Sequence, residues 1–147
     1  MEITRTVETT APVEKVYAYL SDFTTTNEWD PGTVETRRIS GTGEIGTEYH
    51  NTSKFMGRET ELVYTTKVLS PSTRIVLEGR NKTVRATDTM TLASTAAGGT
   101  CVVYNARFDF QGLVGKLAPV LSPVLSPAFK KLGDEAVVGM KQALDAL

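Results

Sequence analysis

Pro127 to Leu147 reads PAFKKLGDEAVVGMKQALDAL, and the spacing within it decides the fold. Phe129, Leu132, Ala136, Val137, Met140, Ala143, Leu144 and Leu147 recur at the i, i+3, i+4, i+7 intervals of one buried helix face, with Gly133 on the same stripe. Lys130, Lys131, Asp134, Glu135, Lys141 and Asp145 take the other side. At about 1.5 Å per residue such a helix is about 30 Å long, the span of a small domain. Nearly everything before it alternates at the strand period, so the helix is expected to lie across a sheet. Whether it fills the concave face of that sheet or leaves room there is the functional question.

Working back from the helix, strands are expected at Glu2–Thr9, Thr33–Ser40, Thr47–Phe55, Arg58–Leu69, Thr73–Gly79, Thr83–Ser94 and Thr100–Phe110. Short turn signals join the last six, such as Met56-Gly57, Ser70-Pro71-Ser72, Asn81-Lys82 and Ala97-Gly98-Gly99. Connections that short make an antiparallel meander. Thr10-Ala11-Pro12 opens a helix with Val13, Val16, Tyr17 and Leu20 as its buried stripe, and a second helical piece runs from Phe23 to Trp29. The class is therefore α+β. Leu113 to Ser126 breaks the pattern, because Pro119, Pro123 and Pro127 are spaced by four and an interior proline costs a helix about 3 kcal/mol. A short helical piece, a kinked segment and then the long helix are expected. The apolar run VLSPVLSPAF (120–129) is expected to fold against the sheet edge, contact with a membrane or a partner being the alternative.

A chain of 147 residues fits one domain, here 1–147, and can bury a core without staples. A net charge of −1 gives no electrostatic case for nucleic acid. One cysteine excludes an internal disulfide framework, and one histidine argues against a metal site. Without an apolar leader or an evident membrane-spanning run, the expectation is a cytoplasmic monomer or weak dimer, with no metal and no cofactor.

Four stretches sharpen this outline: APVEKVYAYLSD (11–22), EWDPG (28–32), GTGEIGT (41–47) and GGTCVVY (98–104). Their order resembles the superfamily of polyketide cyclases/dehydratases, lipid-transfer START-related domains and birch-pollen-allergen-like proteins, over nearly the whole chain. The resemblance implies a helix-grip fold: a curved seven-stranded antiparallel sheet wrapped around a long C-terminal helix, with two short helices between the first two strands. It further implies an apolar cavity for lipids, sterols, quinones, polyketides or hormones. No catalytic residue of the superfamily carries over position by position. The GTGEIG match to the dinucleotide GxGxxG pattern is a strand connection, since no helix follows to meet a pyrophosphate.

Strand parity selects the inward side chains. Arg5 and Asp88 are each the lone charge on an apolar strand face, and an isolated buried charge is costly. With one strand between theirs, Arg5 would span about 10 Å to pair with Asp88, as a structural ion pair or as a clamp for a ligand carboxylate, carbonyl or enolate. Tyr49, Asn51, Tyr64 and Tyr104 put polar groups among Met90, Phe108, Phe129, Val137 and Met140, which suits a small-molecule cavity and equally an ordinary core. Trp29 is a packing anchor or a lip of the cavity. His50 points outward and Cys101 falls on the polar parity, so neither has the reach of a catalytic group.

Three functions follow from this reading. One is a carrier or sensor for a hydrophobic, ring-containing molecule. The second is a polyketide cyclase or dehydratase, with Arg5 at an oxyanion, Asp88 orienting it and Tyr64 or Tyr104 supplying a proton. The third is a protein-interaction module with a closed core.

Overall fold

The computed structural model describes all of residues 1–147. Seven strands, β1 (Glu2–Thr9), β2 (Thr33–Ser40), β3 (Glu48–Phe55), β4 (Arg58–Ser70), β5 (Arg74–Arg80), β6 (Val84–Ser94) and β7 (Thr100–Phe110), form one antiparallel sheet in the order β1-β7-β6-β5-β4-β3-β2. Every expected strand is present within a residue of its expected ends, because turn residues punctuate each one. Between β1 and β2 stand α1 (Val13–Ser21) and α2 (Thr26–Trp29), the latter entered through a 3₁₀ turn at Phe23–Thr25. Thr10 does not cap α1: Pro12 occupies the cap position, and its carbonyl accepts from Lys15 and Val16.

The expected parity places the core. Leu62, Tyr64 and Thr66 of β4, Ile75 and Leu77 of β5, and Val102, Tyr104 and Ala106 of β7 are buried facing α3 (Gly112–Asp145). The second half of α3 closes the core with Phe129, Gly133, Ala136, Met140 and Leu144. It packs on α2 at Gly139, where an added Cβ would lie 2.0 Å from the Trp29 carbonyl oxygen. Glycine at 139 is therefore what lets the two helices approach.

The first half of α3 departs from expectation in two ways. It is one continuous helix of 34 residues, with Pro119, Pro123 and Pro127 inside it. At a spacing of four the prolines share one exposed face, and only the carbonyls of Gly115, Pro119 and Pro123 lose their i+4 donors. Each proline costs one bond without ending the helix. Instead of capping a new helix, the Ser126 hydroxyl donates to the Ser122 carbonyl at 2.7 Å. Only part of the run 120–129 folds against the sheet: Leu125 and Phe129 turn inward to the strands, whereas Val120 is 74% exposed and Val124 65%. By length and composition α3 is also apolar enough to cross a membrane, with a mean hydropathy of 1.3 over eighteen residues, although its second half is committed to the core.

Candidate functional site

Between the sheet and α3 lies a cavity of about 180 Å³. It sits toward the end of the sheet where β3 turns into β4 and β7 leads into α3, and its lining combines Leu62, Val84, Ala106 and Phe108 of the strands with Trp29 of α2 and Phe129 of α3. Phe129 holds the aromatic wall together. Its ring centroid lies 4.5 Å from that of Phe55, 4.9 Å from Phe108 and 6.3 Å from Phe110. All three partners come from the ends of β3 and β7, so this cluster closes the cavity toward that end.

The polar groups gather around Asp88. Asp88 on β6 lies across from Ala106 and is 5% exposed, with no cation paired to it. Burial holds its carboxyl up to about 7, and the charge of Asp30 adds to the effect. The Tyr104 hydroxyl, from β7, donates to the Asp88 carboxylate at 3.5 Å, a long bond that opposes the shift weakly. Burial and the two nearby carboxylates likewise push the Tyr64 and Tyr104 hydroxyls well above their ordinary range. The Tyr64 hydroxyl has no hydrogen-bond partner within the protein and borders the cavity.

Space for the Tyr64 ring comes from its neighbour. Tyr64 pairs with Gly79 across β4 and β5, and a Cβ on Gly79 would meet the ring at 2.7 Å. With Ala86 next in line on β6, the sheet is scooped out beneath the tyrosine.

Asp30 is the site residue that the sequence reading missed. It follows Trp29 at the end of α2, where Thr33 Oγ1 donates to its carboxylate at 3.0 Å and the Gly32 amide at 2.9 Å. Burial still raises its pKa in spite of both bonds. Its signal was present in EWDPG, but Asp-Pro-Gly also reads as a plain turn.

Of the expected ligand-binding residues, Trp29, Asn51, Tyr64, Asp88, Tyr104, Phe108 and Phe129 line the cavity. Tyr49, Met90, Val137 and Met140 do not; Tyr49, Met90 and Met140 are at most 1% exposed, packed in the core away from the void. The Asn51 side chain is satisfied internally, donating to Thr36 Oγ1 at 2.8 Å and accepting from Ser53 Oγ at 2.8 Å.

The expected Arg5–Asp88 pair is not formed. Arg5 turns to the helix and donates from Nε to Asp134 Oδ1 at 2.8 Å, and from its terminal nitrogens to the Thr4 and Lys130 carbonyls. It lies at the rim, outside the cavity lining. The nearer carboxylate won: Asp134 is half exposed and keeps its hydration, whereas reaching Asp88 would bury the guanidinium as well. His50 stays on the outer face, 3.5 Å from Glu61. No group of three or more His, Cys, Asp or Glu side chains is placed to hold a metal ion.

A family model described as polyketide cyclase / dehydrase and lipid transport matches residues 1–146 of the chain. A search of curated protein sequences finds no match. Among solved structures, TTHA0849 from Thermus thermophilus superposes with a TM-score of 0.82 at 14% identity, covering 99% of this chain and 98% of that one. The Zhui aromatase/cyclase from Streptomyces sp. R1128 gives 0.81 at 12% identity, covering 99% and 93%. A START superfamily protein from Mycobacterium smegmatis gives 0.72 at 15%, covering 99% and 94%. At these identities the likeness establishes the helix-grip architecture.

Proposed function

The chain belongs to the polyketide cyclase / dehydrase and lipid transport family, and from that premise we propose that it binds a hydrophobic, ring-containing small molecule between the sheet and α3, as a carrier or sensor. The observation that carries this reading is the cavity itself, walled by Trp29, Phe108 and Phe129 and ending in the carboxyl and hydroxyls of Asp88, Tyr64 and Tyr104. An apolar chamber with a few convergent polar groups is the usual form of a small-molecule site. About 180 Å³ is enough for a single ring, since an apolar cavity of about 150 Å³ holds benzene. It is below the roughly 300 Å³ at which pockets for drug-sized ligands begin. A larger guest has to displace Phe129 and the first half of α3. A ligand carbonyl would accept from the Tyr64 hydroxyl, which has no partner inside the protein.

Two-dimensional NMR titration with flavonoids, polyketides, sterols and fatty acids tests the reading. Shifts should concentrate at Trp29, Tyr64, Phe108 and Phe129. A panel that leaves all four unmoved would remove it.

A second reading, a cyclase or dehydratase acting in the same cavity, is favoured by one observation: a buried carboxyl titrating at about 7 beside a tyrosine hydroxyl suits general acid–base work. The Zhui aromatase/cyclase shares the architecture. In such a step Asp88 would take a proton from a methylene between two carbonyls. The carbanion would then form a carbon–carbon bond to a second carbonyl, whose oxygen takes a proton back from Asp88. Asp88→Asn should abolish turnover while ligand still binds; unchanged turnover excludes the assignment.

A further inference from the structure

The feature that the cavity does not use is the outer face of the first half of α3. Leu113, Leu117, Val120 and Val124 fall at i, i+4, i+7 and i+11 on one face of the helix, and all four are exposed, by 47% at Leu117 and 74% at Val120. Lys116 is the single charge between Gly112 and Phe129. Monomeric proteins rarely leave a continuous apolar stripe of this length in water.

Its charged surroundings say what covers it. The β3–β4 turn, the β5–β6 turn and the start of α3 all lie at the same end of the antiparallel sheet. Their tips carry Lys54, Arg58, Lys82 and Lys116, none of them in an ion pair. The Met56 side chain, 59% exposed, stands among them. The carboxylates at this end are Glu59, Glu61 beside the His50 ring, and Glu2 across from Arg107, while Asp109 and Glu78 are each paired with arginines. The tips are thus cationic although the whole chain is not. A second copy of the chain seated on the stripe through a two-fold axis would bring these cations together. Anionic headgroups would neutralise them.

We propose that this end of the molecule docks on an anionic lipid surface, the stripe from Leu113 to Val124 lying in the interface and Arg58, Lys82 and Lys116 meeting the headgroups. The segment lies in the plane and does not cross. Residues from Phe129 onward are held in the core, and the carbonyls of Gly115, Pro119 and Pro123, which have no amide donors, need water or headgroup partners. Leu125 and Phe129, on the inward side of the same helix, line the cavity, so the helix that docks also walls the closed end of the chamber. Docking itself does not depend on what the chamber binds.

Flotation of the purified full chain with vesicles decides the matter. The full chain should float with vesicles of equal parts phosphatidylcholine and phosphatidylglycerol, and at least tenfold less with phosphatidylcholine alone. Raised salt should weaken the binding, since each surface cation contributes roughly fivefold. The variant L117E/V120E should lose flotation and keep its melting temperature, because both side chains are already in water. K82E/K116E should lose it on anionic vesicles selectively. Absence of flotation on anionic vesicles, or equal flotation of wild type and both variants, overturns the proposal. So does a wild-type dimer in light scattering that L117E/V120E converts to monomer, since the stripe would then be a contact between copies.

Discussion

Replacing Asp88 by asparagine should change how the stability of the protein depends on pH, and the size of the change follows from the site. Burial moves the Asp88 carboxyl from an ordinary 3.8 to about 7 in the folded chain. Between those values the native state holds a proton that the unfolded chain has released, so stability falls as pH rises through this window and is flat outside it. From about pH 5 to about pH 7 the loss is two pH units at about 1.36 kcal/mol each, or roughly 2.7 kcal/mol. Asparagine keeps the shape and cannot ionise, so this loss is absent in Asp88→Asn. Any offset in stability between variant and wild type is independent of pH and cancels when slopes are compared. For a chain of this size 1 kcal/mol corresponds to about 2–4 °C. Thermal unfolding followed by circular dichroism should therefore show the wild type losing roughly 5–11 °C more than the variant from about pH 5 to about pH 8. Parallel curves would refute the reasoning. They would mean that Asp88 titrates like a surface carboxyl and that the cavity is wet.

Three further perturbations separate the site from its frame. Arg5→Ala should cost no more than about 1 kcal/mol and leave ligand titrations unchanged, because Arg5 pairs with half-exposed Asp134 at the rim; a loss of binding would return it to the site. Gly79→Ala should force the Tyr64 ring out of its recess, destabilising by about 1–3 kcal/mol in denaturant titration and shifting the Tyr64 ring resonances. Phe129→Ala should cost about 3–5 kcal/mol and open the chamber to larger guests, read as binding of multi-ring compounds that the wild type refuses.

The fold was legible because its signals are local. Turn residues such as Met56-Gly57 and Asn81-Lys82 fix where strands end, and two-fold alternation fixes which side chains face inward. The stripe from Phe129 to Leu144 fixes where the helix rests. The proline segment departs from expectation for a related reason: the spacing of four that suggested a break places Pro119, Pro123 and Pro127 on one exposed face, where each removes a bond without obstructing a neighbour.

The site was legible only in part, because parity gives a side chain's face and not its partner. Arg5 and Asp88 do share the inner face, and parity could go no further. Which carboxylate the arginine reaches depends on how α3 lies over β1, and that is set by contacts distant in sequence, such as Gly133 against Ile3. That contact brings Asp134 within 2.8 Å of the guanidinium. Pairing Arg5 at the rim leaves Asp88 buried without a cation, and the unneutralised carboxyl keeps its proton up to about pH 7. Had Arg5 reached Asp88, the carboxylate would stay ionised and the chamber would hold a salt bridge with little capacity to donate a proton. The small residues of α3 therefore act on Asp88 at a distance: by letting the helix sit close on β1 they draw the arginine outward and keep the carboxyl protonatable near neutral pH.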